Sequence, residues 1–261
     1  MIYEISSTQN KTYKHIKSLQ LKKNRLLYNE FVAEGIKSTG EAVSHSANVK
    51  LIAVSEQFFN SADFNNLQIG NIDVYIVKDA VFDGLCLTKT PQGILSVIET
   101  RYADADFSQA TLCVYCDGVN DPGNLGTIIR TSNAAGVDKI ILSPNCVELY
   151  SPKTVRSAMG ALFHADVLNG NIEILQKLQK SGFNIVTGAL RAESKSYTSI
   201  DMTQKTVIVV GNEANGASDE VIDMSDEPAI IPMRESAESL NVAVAASILI
   251  YEAVRQRAYK K

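Results

Sequence analysis

From Ala110 onward the sequence alternates short apolar, strand-like runs with stretches of helical periodicity, and this alternation constrains the fold more than any other feature. Strands are expected at Leu112 to Tyr115, Lys139 to Leu142, His164 to Leu168, Asn184 to Thr187, Thr206 to Val210 and Ala229 to Ile231. Helices are expected near Leu125 to Ala135, between most of the later strands, and from Val242 to about Arg257. Parallel neighbours need a crossover long enough to hold a helix, so the pattern predicts an α/β fold with a mostly parallel sheet covered by helices. In such sheets ligands bind beyond the carboxyl ends of the strands, which directs attention to the loops that follow them.

The first hundred residues read differently. Ser7 to Tyr28 forms one or two helices with Ile16, Leu19, Leu26 and Leu27 as apolar anchors between lysines. Phe31 to Gly35 reads as a strand and turn followed by a helix through Val43, and further strand-like runs occupy Lys50 to Val54, Val74 to Val77 and Ile94 to Ile98. The expected organisation is therefore a small α/β domain over 1–100, a polar linker over 101–109 and a larger domain over 110–261. Through Glu30 the chain carries Lys11, Lys14, Lys17, Lys22, Lys23 and Arg25 against Glu4 and Glu30, a local +4. Since the whole chain is at -4, the remainder carries -8, which predicts a basic N-terminal face able to attract a polyanion on a body that is not.

Several classes are excluded. With 45% hydrophobic and 21% charged residues and six prolines, the chain is neither disordered nor fibrous. Its longest apolar run, Val242 to Tyr251, is about half a membrane span, so no membrane partner is expected. The first residues show neither a charged leader with an apolar stretch nor a small-residue cleavage site, which makes the cytoplasm the expected compartment. Cys113 and Cys116 spell C-x-x-C inside a strand-like run, where side chains three apart face opposite sides. They are expected to be a buried, ordinary pair of thiols, because neither a second pair nor a nearby histidine completes a metal set; Cys86 and Cys146 are the other two cysteines. His15, His45 and His164 fall in no motif.

Three segments carry chemistry. The first runs from Asp117 through Asn120-Asp121-Pro122-Gly123-Asn124-Leu125-Gly126 to Arg130, between the first strand of the larger domain and its helix. Asn124 is the expected N-cap, and Leu125, Ile128, Ile129 and Ser132 share one face. Thr127, Arg130 and Ala134 are left on another, where a planar guanidinium suits a phosphate or carboxylate. The second, Val207 to Gly216, is a buried strand ending in a glycine-rich loop with Glu213. It is not G-x-G-x-x-G, so a dinucleotide-binding oxidoreductase is unsupported. The third, Ile230-Ile231-Pro232-Met233 to Ser239-Leu240-Asn241, joins the last strand to the terminal helix, with Ser239 as the expected N-cap.

In this order and spacing, N-D-P-G-N-L-G-x-x-x-R, V-V-G-N-E-x-x-G, then I-P-M with S-L-N-V-A-V-A, the whole chain resembles the SpoU (TrmH-like) class of SPOUT methyltransferases. The front part, with Ser7 to Lys11, Phe31 to Gly35 and Pro91 to Leu95, resembles the ribosomal-protein-like RNA-binding module that such enzymes often carry. The resemblance implies a C-terminal SPOUT domain with a trefoil knot and a homodimer built around the terminal helix. It implies transfer of a methyl group from S-adenosylmethionine to a ribose 2'-hydroxyl of RNA, ribosomal before transfer RNA, with no metal. It carries cofactor contacts to Gly211, Ile231 and Leu240, with Gly188 and Ala189 completing the adenosine pocket. Arg130 takes the catalytic arginine's place, with Asn124, Glu213, Ser239 and Asn241 as the polar active-site set. Lys11, Lys14, Lys17, Lys22, Lys23 and Arg25 become the RNA-binding residues. The chain departs from many members at Arg234-Glu235-Ser236-Ala237, where they carry a glycine.

An arginine stays protonated in proteins, so Arg130 is expected to pair with the target phosphate and steady the developing alkoxide. Asn124 and Ser239 would fix the ribose, and Glu213 would orient the substrate. The rival reading is a catalytically inactive RNA-binding or assembly factor of the same fold, which would be free to lose these residues.

Overall fold

The computed structural model describes residues 1–45 and 47–258. The chain divides into two compact units, Met1–Arg101 with Leu149–His164, and Tyr102–Glu148 with Ala165 onward.

The first unit contains β1 (Ile2–Ile5), α1 (Lys11–Ser18), α2 (Lys22–Tyr28), β2 (Glu30–Glu34), α3 (Ile36–Ser44) and β3 (Val49–Ser55). Short helices α4 (Glu56–Phe59) and α5 (Ala62–Asn65) precede β4 (Val74–Val77), and α6 (Asp79–Phe82) precedes β5 (Ile94–Glu99). The strands lie in the order β1-β4-β3-β5-β2, with β1, β4 and β3 parallel and β5 antiparallel to both β3 and β2. Successive strand residues face opposite sides. Accordingly Ala53 joins Ile5, Ile16, Leu19, Val77 and Phe82 in one core, while Ile52 and Val54 join Phe58, Val74 and Ile94 in another.

The lysine-rich helices behave as expected on one side and not on the other. Asn10 caps α1, its Oδ1 accepting from the Thr12 and Tyr13 main-chain N–H groups at 2.8 and 3.2 Å. Tyr13 and Ile16 are buried, and Lys11, Lys14 and Lys17 face solvent, as do Lys22 and Lys23 on α2. The expected anchors Leu26 and Leu27 are instead 61% and 69% exposed, whereas Arg25, expected on the basic surface, is 5% exposed. The reason lies at the end of α1. The carbonyls just past it lack helical partners, and the Arg25 guanidinium donates to those of Leu19 and Gln20 at 2.8 and 2.9 Å. Arg25 is therefore a structural clasp, not a surface cation.

The second unit is built on β6 (Leu112–Cys116), α7 (Pro122–Ala134) and β7 (Lys139–Leu142). After a segment holding α8 (Pro152–Ala158), it continues with β8 (Val167–Asn169), α9 (Ile172–Lys180), β9 (Asn184–Gly188) and β10 (Lys195–Ser196). It ends with β11 (Thr206–Val210), α10 (Asp219–Asp223), β12 (Glu227–Ile230) and α11 (Val242–Ala258). All seven strands are parallel, in the order β10-β12-β9-β11-β6-β7-β8. Every residue of β6 and β11 is buried, as expected of central strands covered on both faces. One face packs on Leu175, Leu178 and Phe183; α7 and α11 pack against each other, with Leu125, Ile128, Ile129, Ala246, Leu249 and Ile250 buried. The four cysteines are free, and burial pushes the Cys113 thiol up to about 12, so it stays protonated at neutral pH.

Three boundaries differ from the sequence expectation. Helix α7 is capped by Asp121, whose Oδ1 accepts from the Asn124 N–H at 2.9 Å, because Pro122 suits the first helical position and starts the helix earlier. Helix α11 is capped by Asn241, not Ser239: its Oδ1 accepts from Ala243 and Val244 at 2.9 and 3.3 Å. The strand expected at His164 begins at Val167, because 149–164 belongs to the first unit. There the Tyr150 and Phe163 rings sit 4.5 and 6.4 Å from that of Phe31, which is 1% exposed.

Replacing Arg25 by Met leaves buried carbonyls without their donor. Urea unfolding is expected to show a loss of about 2–3 kcal/mol for Arg25→Met. Lys22→Ala should change stability by less than about 0.5 kcal/mol. Equal effects would show that Arg25 is no clasp.

Candidate active site

Three loops leave the carboxyl end of the second sheet, and side chains tie them together. The Glu213 carboxylate, in the loop after β11, accepts from the Asn120 and Asp121 main-chain N–H groups, both at 3.0 Å, in the loop after β6. The Asn124 amide donates to the same carboxylate at 3.0 Å. Its oxygen in turn accepts from the Asn241 side chain at 2.9 Å, at the start of α11. Glu213, Asn124 and Asn241 therefore form one chain of hydrogen bonds across all three motifs. Asn212 adds a second tie, donating to the Gly118 carbonyl at 2.8 Å, and the Ser218 N–H donates to Asp117 at 2.7 Å.

Burial alone would raise the pKa of Glu213, but the donors on Asn124, Asn120 and Asp121 outweigh it and hold the carboxyl below its ordinary value. Gly211 is required for another reason. Asn212 and Gly216 pair main chain to main chain at 2.8 and 2.9 Å, folding the loop back so that a Cβ on Gly211 would overlap the backbone of Gly216 and Ala217.

Beside these ties lies a cavity of about 580 Å³, a size suited to a small-molecule cofactor. It opens where β9, β11 and β12 end, at Gly188, at Val210 and Gly211, and at Ile230 and Ile231. The expected cofactor residues Gly188, Ala189, Gly211, Ile231 and Leu240 all line it, as do Glu213 and Ser239. Asn124 and Asn241 do not line it but are joined to Glu213. Arg130 stands exposed on α7 with Thr127 and Ala134 and is not part of the lining. In this structure the polar atoms of Asn124 and Glu213 are engaged in holding the loops together. Sequence reasoning missed Arg191 and Asp219, which form an ion pair on the cavity lining, and Leu249, which reaches it from the terminal helix. No motif marks the first two; the third shows only as one apolar residue in a long apolar run.

With this geometry in place, comparison with known proteins decides the family. The model of the SpoU rRNA Methylase family matches residues 111–251. The chain belongs to that family. Residues 10–96 match the MRM3-like substrate binding domain. The chain is 34% identical over 249 residues to the Bacillus subtilis 23S rRNA (guanosine(2553)-2'-O)-methyltransferase RlmP, covering 95% of this chain and 98% of that one. An AdoMet-bound rRNA methyltransferase from Sinorhizobium meliloti superposes with a TM-score of 0.86 at 32% identity, over 97% of this chain and 98% of that one. The SpoU methyltransferase AviRb from Streptomyces viridochromogenes, in complex with AdoMet, gives 0.86 at 28% identity over 97% of this chain and all of that one (100%). The resemblance read from three motifs, and the α/β class with its SPOUT-type parallel sheet, are thereby confirmed.

The tie at Glu213 has a pH signature. Because the folded-state pKa is depressed, its stabilisation is present above the unfolded carboxyl value of about 4.3 and is lost as pH falls through the folded value. Glu213→Gln should therefore melt below the wild type at pH 7, and the gap should close as pH drops below about 4. A gap that persists unchanged at pH 3 would exclude the carboxylate as its source.

Proposed function

We propose that this chain methylates a ribose 2'-hydroxyl of ribosomal RNA, using S-adenosylmethionine. The observation that carries the reading is the cavity at the ends of β9, β11 and β12, whose lining holds all five residues expected from the motifs to contact the cofactor. The donor set fits such a molecule. Val210, Ala217, Ile230 and Leu249 offer apolar walls for a flat ring, and Gly188 and Gly211 leave main chain exposed for its polar edges. Glu213, Ser239 and Arg191 provide polar and charged groups around it.

When bound, the donor supplies a methyl group on a sulfonium, already activated for displacement. What the protein adds is placement and charge. The chain from Glu213 through Asn124 to Asn241 fixes the three loops, so the walls do not shift when RNA docks. These three are positioning residues. Ser239, in the cavity lining, orients the ribose. Arg130 pairs with the phosphate beside the target nucleotide and stabilises negative charge as the 2'-oxygen gives up its proton to solvent water. A permanently protonated guanidinium suits that electrostatic role and not that of a base.

RNA recognition rests on the first unit. Lys11, Lys14, Lys17, Lys22 and Lys23 are exposed there, supplying phosphate affinity, and Tyr28, 47% exposed, offers an aromatic face to an unpaired base. The protein works as a homodimer. Val244, Ile248 and Tyr251 make an apolar stripe at i, i+4 and i+7 on α11, with Val244 and Tyr251 half exposed, whereas Val242 and Leu249 are buried inside the unit. The terminal part of the second unit carries a trefoil knot, as the family resemblance implies, and the chain acts in the cytoplasm, where ribosomal RNA is met.

Arg130→Ala should lower methyl transfer to ribosomal RNA by about 100-fold or more. Calorimetry should meanwhile find its S-adenosylmethionine affinity within about threefold of wild type, as expected where a residue acts only in the transition state. Undiminished turnover would exclude the arginine from the chemistry, and no donor binding by the wild type would favour an inactive RNA binder. Light scattering should find a dimer at micromolar concentration; a monomer would overturn the stripe's assignment.

A further inference from the structure

His45 and His164 belong to no motif of the methyl-transfer site, yet the first unit brings them together. Glu41, on α3, and His45, which caps the end of that helix, stand one turn apart at the i, i+4 spacing that puts two side chains side by side. His164 arrives from far along the chain, at the end of a 3₁₀ turn over Ala161–Phe163. Its approach depends on Gly160, which has φ +87° and lies so near Glu41 that a Cβ there would stand 2.7 Å from the Glu41 Cγ. The His164 Nε2 is 2.9 Å from the Glu41 Oε2, and the His45 Nδ1 is 3.5 Å from the same oxygen. The two imidazole rings are 3.7 Å apart at their centroids. The His45 Nδ1 also lies 3.0 and 3.1 Å from the Ser44 hydroxyl and the Glu41 carbonyl, contacts it gives up when it sheds its proton and turns its lone pair to an ion.

We propose that Glu41, His45 and His164 bind a divalent cation of the zinc type, which clamps the segment Leu149–His164 onto α3. Two imidazoles and one carboxylate are the nitrogen and oxygen donors that zinc takes, and three protein ligands leave a fourth position for water. At metal–ligand distances of 2.0–2.2 Å, neighbouring ligand atoms of a tetrahedron stand roughly 3.4 Å apart. The three candidate atoms already lie within 4.8 Å of one another, and two of their separations, 2.9 and 3.5 Å, bracket that edge. Side-chain exposures of 41% for His45 and 29% for His164 leave a path for the ion and room for the water. A hard cation such as magnesium, which prefers oxygen donors, fits the set poorly. The clamp would fasten by a bond what Phe31, Tyr150 and Phe163 fasten by contact.

The test uses the tag-free full chain, stripped with a chelator that is then removed and titrated with zinc chloride against a chromogenic competitor. One equivalent per chain is expected. Loss of an outer-shell partner alone costs 10–100-fold in metal affinity, so His164→Gln and His45→Gln should each weaken binding by at least about tenfold. Zinc should slow amide hydrogen exchange across 150–163 in the wild type and not in either variant. Should a histidine variant fail to fold, Glu41→Gln serves in its place, with circular dichroism reporting the fold. Substoichiometric binding, or binding unchanged in the folded variants, overturns the site; binding without added protection overturns the clamp. S-adenosylmethionine affinity, measured in parallel, is expected to be the same with and without zinc, which separates this outcome from that of the methyl-transfer reading.

Discussion

One carboxylate holds the candidate active site together. Glu213 gathers two main-chain N–H groups from the loop that leads into α7 and one side-chain amide from the first turn of that helix. Helix starts and tight loops carry main-chain donors that secondary structure does not satisfy. A carboxylate presented from the neighbouring strand end answers several at once, and the charge-assisted bonds hold it ionised. Because Asn124 passes the connection on to Asn241, the start of the terminal helix is placed by the same contact. The cavity beside it has its shape because three loops are fixed relative to each other.

The site also illustrates how a parallel sheet produces function. Strands β6 and β11 are buried throughout, so they can contribute to chemistry only where they end. At those ends the chain carries glycine where nothing else fits: a side chain on Gly211 would collide with the main chain of the returning loop. Side chains that sequence reasoning marked as catalytic then sort by what they touch. Glu213, Asn124 and Asn241 spend their polar atoms on one another and position the loops, whereas Ser239 stays in the cavity lining and Arg130 on an exposed helix face.

The first unit follows a different logic. Its lysines lie outside a sheet with a core on each face, and the one buried cation among the described residues, Arg25, closes the end of a helix instead of facing a ligand. The segment from Leu149 to His164 leaves the second half of the sequence to pack here, with Tyr150 and Phe163 against Phe31. That excursion is also what brings His164 to Glu41.

The sequence alone determined the α/β class, six of the seven strands and the long helices of the second unit, because buried parallel strands read as continuous apolar runs and helices repeat at 3.6 residues; the two-residue edge strand β10 is too short to leave such a run. It also marked part of the cavity lining, Gly211, Glu213, Ile231, Ser239 and Leu240, because these stand in ordered motifs at strand ends, but not Arg191, Asp219 or Leu249. Contacts between distant residues left no periodic trace and were decided only by the tertiary structure. Arg25 looks like its lysine neighbours until the end of α1 is folded beneath it, and Leu26 and Leu27 look like core until α2 proves to turn them outward. Asp121 and Asn241 cap helices that Asn124 and Ser239 were expected to cap, because proline and side-chain reach set the start locally. The histidines at 45 and 164 are separated by most of a domain in sequence and by 3.7 Å in space, and only the path of the backbone could bring them there.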